Sequence, residues 1–373
     1  MNVQVGYLGC KPELPNSFPL DFPENSGNMI HARAPKEIFP QSVYAYDRFP
    51  AGTSFRKWVN ESATHLIVTL ANTIRLGKES LPGLLRLRDT LEQYDAKIVV
   101  FGMGVQAPST DLSEVSIAPE AVELMQYLGE RCEVVGVRGK FTQDVFAKFA
   151  GVSNTFVTGC PSLFSKPDAV GKLYENYKRG KEGRPAFNGT YFHRENEKAL
   201  LVRAIQEKNF LVEPVNKHNH RFFLESMGVT STSEEPTGIP YFLKAPLKAG
   251  LLEESQIYDY YRSCYRLFRQ AEPWYSFLEE MVSFSFGSRF HGNMAAYLAG
   301  VPSLWLTHDA RTEELVNFLH LPNLALDSAV EMSTQEIIDH YDPEDFFDNV
   351  RSLFANFNAY LDIFGLPEVK LKF

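Results

Sequence analysis

The sequence has few cysteines, no long apolar run and no excess of positive charge, and each absence excludes a class of protein. Its four cysteines among 373 residues have no CxxC spacing, which argues against a disulfide scaffold or zinc knuckle and favours a reducing compartment. No apolar run can span a bilayer, and the N-terminus lacks the pattern of a signal peptide. The net charge of −9 argues against nucleic-acid binding. We therefore expect a cytoplasmic protein without nucleic-acid partners.

What the sequence does contain is material for two α/β domains. The length and the 44% of hydrophobic residues favour two domains with sizeable cores. Short apolar runs alternate with helical patterns through residues 1–165, which predicts a parallel sheet covered on both faces. A segment rich in Lys, Gly and polar residues, 166–186, is predicted to be a linker to a second Rossmann-like domain, 187–325. Residues 326–373 are predicted to be helices that pack back on the domains.

One short string combines a regular pattern with reactive side chains. An apolar strand is followed by GSRFHG (residues 287–292), an alanine-rich helix and a second strand, which together predict a βαβ unit. Arg289 and His291 therefore follow the carboxyl end of a strand and adjoin a helix N-terminus, where open α/β sheets bind ligands and where anions are favoured. A structural role is the alternative: either residue can cap an element, and Gly292 can simply allow a tight turn.

Further polar residues follow predicted strands or open predicted helices, and five of them are candidates for ligand contacts: Asn28, Asn72, Arg138, Arg194 and His308. Some have a structural explanation as well. Asn28 can cap the helix that it opens. Asp309 can cap the helix that follows His308, with Glu313 completing a capping box.

Two other patterns are weak. The string GMGVQA (residues 102–107) matches GxGxxG/A, but Pro108 follows at once, so no helix starts where a pyrophosphate would need one. We interpret these glycines as allowing close approach of the backbone to a ligand or a neighbour. His218 and His220 have no third convergent ligand, so we predict no metal.

These strings together resemble the polysaccharide pyruvyl transferase family. The resemblance extends from about residue 25 to about residue 320. It rests on NSGN (25–28), GVR (136–138), TGCPS (158–162) and, above all, GSRFHG followed by AGVP (299–302). It implies a glycosyltransferase-B-like α/β fold, with two Rossmann-like domains facing each other across a cleft. The family often has an acidic residue where this chain has Asn28.

The resemblance also implies a reaction. Phosphoenolpyruvate would be the donor and a sugar hydroxyl pair the acceptor, giving a pyruvate ketal on a surface polysaccharide or its lipid-linked precursor. No cofactor is implied, and a lipid-linked acceptor would allow peripheral membrane association. The residues expected at the donor are Arg194, Ser288, Arg289, Phe290, His291 and Gly292.

The residue types suit this donor. Guanidinium groups bind phosphate and carboxylate bidentately, which is the role expected for Arg289 and Arg194. A histidine can give or take a proton near neutral pH. Our hypothesis is that His291 is the general acid at the methylene carbon, and the alternative is that it acts as a general base. Acceptor contacts are expected on the first domain and on residues 216–250. The positions proposed for substrate contacts are Asn28, Asn72, Arg138 and His308.

Two other functions fit the same sequence. A nucleotide-sugar glycosyltransferase of this architecture would need an acidic ribose contact, for which Glu313 and Glu314 are available. A non-catalytic glycan- or anion-binding protein would keep the fold and bind phosphoenolpyruvate without turnover.

Overall fold

The computed structural model describes residues 3–14, 25–107, 111–113, 115–212, 216–229 and 238–373. Within them the chain forms two halves, each with parallel strands covered by helices. Among the helices of these residues, none is both long and apolar enough to cross a membrane.

The first half is built around a parallel sheet. Its elements are, in chain order, β1 (Val5–Gly9), α1 (Gly27–Ala32), α2 (Ala34–Ile38), β2 (Val43–Tyr44), α3 (Phe55–Ser62), β3 (His65–Thr69), β4 (Ile74–Arg75), α4 (Gly83–Leu91), β5 (Lys97–Val100), β6 (Val105–Gln106), α5 (Pro119–Arg131), β7 (Val135–Val137), α6 (Lys140–Val145) and β8 (Thr155–Val157). The strand order is β2-β1-β3-β5. The pair β7–β8 continues this sheet, because the Met103 amide donates to the Gly136 carbonyl at 3.0 Å. Strand β3 is buried along its length, as its run of apolar and β-branched residues predicts.

The second half contains a sheet of six parallel strands within the described residues. Its elements are α7 (Ala169–Arg179), β9 (Arg184–Asn188), α8 (Glu195–Gln206), β10 (Phe210–Val212), α9 (Lys217–Ser226), α10 (Tyr241–Lys248), α11 (Glu254–Cys264), β11 (Tyr265–Arg266), α12 (Ala271–Met281), β12 (Val282–Gly287), α13 (Phe290–Leu298), β13 (Ser303–Thr307), α14 (Ala310–Phe318), β14 (Asn323–Ala325), α15 (Leu326–Ala329), α16 (Thr334–Asp339) and α17 (Glu344–Ile363). The order β11-β10-β9-β12-β13-β14 corresponds to 3-2-1-4-5-6 along the chain. This is the Rossmann order, and its switch point lies between β9 and β12.

The long C-terminal helix α17 returns to the first half. Phe357 stacks on Phe164 with ring centroids 4.2 Å apart, and it meets Phe101 edge-on at 5.7 Å. The Tyr360 hydroxyl donates to the Val100 carbonyl at 2.7 Å. Helix α17 therefore closes the core of the half that it does not follow in sequence.

The segment predicted as a linker, 166–186, does connect the two halves, but most of it is the packed helix α7. Ala169, Val170 and Leu173 are buried in the core, and the Asn176 side chain donates to the Gly300 carbonyl at 2.6 Å. The Lys and Gly content of the segment concealed a short apolar stripe at positions i, i+1 and i+4, which is sufficient for a packed helix.

Three local predictions need correction. The capping box of α14 is completed by Thr312, not Glu313, because Thr312 occupies the third helical position after the cap Asp309. The segment 216–250, expected to be irregular, contains α9 and α10, while its residues 230–237 lie outside the described part of the chain. The strand expected at 187–192 ends already at Asn188.

A packed α7 predicts a stability effect that a linker would not have. Leu173→Ala should lower the free energy of unfolding by about 2–4 kcal/mol, because it removes a buried side chain and leaves a cavity. Glu175→Ala, on the exposed face of the same helix, should change it by less than about 0.5 kcal/mol. Urea denaturation measures both, and equal small effects would contradict the packing.

Candidate active site between the two halves

A cavity of about 370 Å³ lies between the two halves, at the carboxyl ends of their strands. From the first half it is lined by Cys10 after β1, Leu70 after β3 and Arg138 after β7. From the second half it is lined by Thr190 after β9 and by residues 289–292 after β12. Ligands of open α/β sheets bind at this edge. The prediction of two Rossmann-like domains facing each other across a cleft is therefore confirmed.

The wall of this cavity is cationic. Four guanidinium groups line it, from Arg75, Arg138, Arg289 and Arg311, and no carboxylate is among the described residues of the lining. One of the four is partly neutralised from outside the cavity, since Nη2 of Arg311 lies 3.3 Å from Asp309. A cavity with this surplus of positive charge favours an anionic ligand.

Arg138 is the most deeply placed of these cations, at 1% exposed. Its Nε donates to the Gly102 carbonyl at 2.9 Å and its Nη1 to Oδ1 of Asn72 at 2.5 Å. Nη2 has no acceptor among the described residues. A Cβ on Gly104 would lie 2.6 Å from Cδ of Arg138, so this glycine makes room for the guanidinium. The glycines of the GxGxxG-like string thus allow close approach of a neighbouring side chain, as predicted.

Arg289 is held by backbone groups at the start of α13. It is the N-cap residue of this helix, and its Nε donates to the Gly189 carbonyl at 3.0 Å. Its Nη2 lies 3.4 Å from the Thr190 carbonyl. Both acceptors belong to the loop that follows β9, whereas Arg289 itself follows β12. The segments after these two central strands therefore hold the guanidinium in place.

Ser288, predicted to bind the donor, has a structural role instead. It is 2% exposed, and its hydroxyl donates to Oε1 of Glu197 at 2.9 Å and lies 2.8 Å from the hydroxyl of Thr190. The same carboxylate accepts the backbone amides of Thr190 and Tyr191. Because its hydroxyl is hydrogen-bonded to Glu197, Ser288 helps to order the loop after β9. It is not among the residues that line the cavity.

A buried amide network fixes the strand ends beneath Arg289 and His291. Nδ2 of Asn188 donates to Oδ1 of Asn293 at 2.7 Å and to Oγ of Ser285 at 3.1 Å. Asn293 in turn donates to the Gly287 carbonyl at 3.0 Å. A Cβ on Gly292 would lie 2.8 Å from Oδ1 of Asn188. The string GSRFHG therefore needs its last glycine for close contact between α13 and β9.

His291 borders the cavity and a group of buried residues behind it. Its Nε2 lies 3.4 Å from Sγ of Cys160, and its ring centroid lies 5.8 Å from that of His31. Burial and the positive charges of Arg138 and Arg311 hold the pKa of His291 well below its usual value. Without a bound anion this imidazole is therefore neutral at physiological pH.

Glu314, proposed above as a ribose contact, joins the two halves. Its carboxylate accepts the Thr142 amide at 2.6 Å and the Thr142 hydroxyl at 2.9 Å, in the first turn of α6. Burial raises the pKa of Glu314 to about 7, although the bonds from Thr142 act in the opposite direction. Together with Glu313 it lines a separate cavity. Neither glutamate is among the residues that line the cavity with the four guanidinium groups.

Arg194 and His308 lie in a neighbouring cavity of about 510 Å³ that shares Arg75 and Tyr191 with the first. Arg194 is the N-cap residue of α8 and lies over the Tyr191 ring, 4.6 Å from its centroid. It was expected beside Arg289, but β9 ends at Asn188, so the intervening loop carries Arg194 to the outer part of the cleft.

The remaining predicted residues lie together in the first cavity: Asn28, Asn72, Arg138, Arg289, Phe290, His291 and Gly292. Asn25 forms the turn before α1, with Oδ1 accepting the Gly27 amide at 3.0 Å. Arg311 and His31 were not predicted from the sequence. Arg311 follows the carboxyl end of β13, a position that the same strand-end rule would have flagged. His31 lies on the buried face of a short helix, where the sequence gives no signal.

A comparison with models of protein families assigns the chain to a family. The profile described as polysaccharide pyruvyl transferase matches residues 25–310, more than half of the chain. The chain belongs to the polysaccharide pyruvyl transferase family. Its membership implies a transferase that acts in polysaccharide biosynthesis. The matched region includes every residue named above in the first cavity except Cys10 and Arg311.

Solved structures with a similar course of the chain are only distantly related. A UDP-N-acetylglucosamine 2-epimerase from Listeria monocytogenes is 13% identical, with a TM-score of 0.42 and 99% of this chain and 92% of that chain covered. The S. aureus MnaA–UDP complex is 12% identical, with a TM-score of 0.46 and coverage of 99% and 100%. The Methanocaldococcus jannaschii UDP-GlcNAc 2-epimerase is 9% identical, with a TM-score of 0.44 and coverage of 94% and 99%. Among curated proteins no significant match is found.

The contact between Glu314 and Thr142 predicts a pH-dependent stability for this protein. Between pH 4.5 and about 7 the folded protein holds a proton that the unfolded chain releases, so the free energy of unfolding should fall as the pH rises through this window. Relative to Glu314→Gln, the wild type should lose up to about 3 kcal/mol between pH 5 and pH 8. Urea denaturation at both pH values measures this difference. Glu313→Gln, on the exposed neighbour, is the control, and parallel pH profiles for wild type and Glu314→Gln would contradict the assignment.

Proposed function

We propose that this protein transfers the pyruvyl group of phosphoenolpyruvate to two hydroxyls of a sugar, forming a pyruvate ketal. The observation that carries the proposal is a cavity with four guanidinium groups, an imidazole and no carboxylate among its described lining residues. Phosphoenolpyruvate carries a phosphate and a carboxylate on three carbons, and guanidinium groups bind both kinds of anion bidentately. Family membership supports the same donor.

The donor would be held mainly by Arg138 and Arg289. Nη2 of Arg138 has no acceptor among the residues that the structure describes, and Arg289 is fixed by the backbone of the loop after β9. In this proposal Arg138 takes the role that the sequence analysis gave to Arg194. Arg311 and Arg75 complete the positive wall on the side of the outer cavity.

The chemistry would take place in two additions. The first sugar hydroxyl adds to C2 of phosphoenolpyruvate while the methylene carbon C3 accepts a proton from His291 and becomes a methyl group. The second hydroxyl then forms a bond to C2, the bond from C2 to the phosphate oxygen breaks, and phosphate leaves. Of the two hydroxyl protons, one restores the protonated His291 and the other leaves with the phosphate as hydrogen phosphate.

The electrostatics of the cavity support binding-linked protonation of His291. Its pKa is lowered in part by the charges of Arg138 and Arg311. An anionic donor placed against these guanidinium groups offsets their charge and raises the pKa of the imidazole. His291 would thus become an acid only when the donor is present.

The acceptor would occupy the outer cavity, which adjoins the donor cavity along Tyr191, Arg75 and Gln106. His308 and Arg194 are available there for contacts to sugar hydroxyls. The acceptor would be a surface polysaccharide or its lipid-linked precursor, reached in the cytoplasm with peripheral membrane association. No cofactor is needed for the two additions.

The reaction is tested by incubating the protein with phosphoenolpyruvate and a panel of glycans. We expect phosphate release that depends on both substrates, and a glycan product whose mass corresponds to a pyruvate ketal. Release of a nucleoside diphosphate from nucleotide sugars would favour the glycosyltransferase alternative. Tight binding of phosphoenolpyruvate without turnover on any glycan would favour the non-catalytic alternative.

Two arginine variants separate the two cavities. Arg289→Gln should raise the Kd for phosphoenolpyruvate by about 10- to 150-fold, since hydrogen bonds to charged groups contribute about 1.5–3 kcal/mol. Arg194→Gln, which removes the same group from the outer cavity, should change it by less than about threefold. Isothermal titration calorimetry measures both. A larger loss in Arg194→Gln than in Arg289→Gln would contradict the proposed donor position.

Protonation of His291 on donor binding can be measured directly. The experiment is done at pH 7.5, where the donor phosphate is already ionised. When phosphoenolpyruvate binds, the protein should take up protons from solution, at most about one per bound molecule, because the pKa of His291 rises. Titration calorimetry in buffers of different ionisation enthalpy gives this number. In His291→Gln the uptake should disappear, and an equal uptake in both proteins would contradict the role of His291.

A further inference from the structure

Behind the donor cavity, three potential metal ligands meet from three separate parts of the chain. They are His31 on α1, Cys160 after β8 and His291 on α13. Their ligand atoms all lie within 4.8 Å of one another. Sγ of Cys160 is 3.4 Å from Nε2 of His291 and 3.7 Å from Nδ1 of His31. No single stretch of sequence contains this group, so the expectation of no metal, based on His218 and His220, did not consider it.

We propose that His31, Cys160 and His291 bind a thiophilic divalent metal ion of the zinc class. Zinc bonds of about 2.3 Å to sulfur and about 2.0 Å to nitrogen, at a tetrahedral angle, separate the two ligand atoms by about 3.5 Å. The two sulfur–nitrogen distances given above lie on either side of this value. Two imidazoles and one thiolate supply three protein ligands, and a fourth position stays open for water.

The residues around the three ligands indicate a preformed metal site. His31 and Cys160 are fully buried, and helix α1 packs against α13, which carries His291. The hydroxyl of Ser162 lies 2.9 Å from Sγ of Cys160, a position from which it can donate to a thiolate.

The nearby charges determine which ions can bind. The guanidinium groups of Arg138 and Arg311 act on His291 and repel a cation, and no carboxylate belongs to the group of three ligands. Binding therefore depends on the thiolate, which forms when the metal displaces the thiol proton. Soft or borderline ions such as Zn²⁺, Co²⁺ and Cd²⁺ should bind, whereas Mg²⁺ and Ca²⁺, which prefer oxygen ligands, should not.

The site shares His291 with the proposed reaction, so the metal would inhibit it. A metal on Nε2 replaces the proton of the imidazolium, and His291 could no longer act as the general acid. This consequence rests on the proposed function, but metal binding itself does not. Zinc that binds without slowing the transferase would argue against the role of His291 and leave the metal site intact.

The test is a spectroscopic titration of the full-length protein with Co²⁺. We expect one bound ion per chain, with thiolate-to-cobalt charge-transfer absorption and the intense visible bands of tetrahedral cobalt. Cys160→Ser should lose the charge-transfer absorption, and His31→Gln should weaken binding at least about tenfold. Cys10→Ser, which removes the cysteine that lines the donor cavity, should leave the spectrum unchanged.

A second measurement uses only the wild-type protein, so it does not require the substituted proteins to fold. Cobalt-edge X-ray absorption of the wild-type complex should give one sulfur and two imidazole nitrogens in the first coordination sphere. The absence of sulfur, a spectrum that survives in Cys160→Ser, or a spectrum lost in Cys10→Ser would overturn the proposal.

Discussion

The buried guanidinium of Arg138 is the constraint on which the rest of the site depends. A cation taken out of water needs compensation, and here two neutral acceptors, the Gly102 carbonyl and Asn72, provide only part of it. The third nitrogen of the fork has no acceptor among the described residues. Burial accordingly lowers the pKa of Arg138. In the proposed function, an anionic donor would supply the missing partner.

Much of the surrounding structure serves to hold this charge and its neighbours in place. Gly104 leaves the space that the Arg138 side chain occupies. The network of Asn188, Ser285 and Asn293 ties the two central strands of the second half to α13. Because these groups lie on strands and on the first turn of a helix, the position of Arg289 and His291 is set by the packed core and not by a free loop.

Secondary-structure elements of this protein could be predicted from the sequence, whereas contacts between side chains that are distant in sequence could not. Strand β3 and the GSRFHG string were predictable because apolar runs and strand-to-helix turns are local patterns. Helix α7 was mistaken for a linker because its apolar stripe is short and its composition is polar. Arg194 was assigned to the donor because β9 was predicted four residues too long. The meeting of His31, Cys160 and His291 depends on how the two halves pack, which no local pattern records.

The central claim is that an anionic three-carbon donor binds between the two halves on Arg138 and Arg289. The most direct measurement is a crystal structure of the protein with phosphoenolpyruvate. We expect the phosphate and carboxylate oxygens within hydrogen-bond distance of Nη2 of Arg138 and of the Arg289 guanidinium, with the methylene carbon facing His291. Phosphoenolpyruvate bound instead between Arg194 and His308, with the inner cavity empty, would contradict the account.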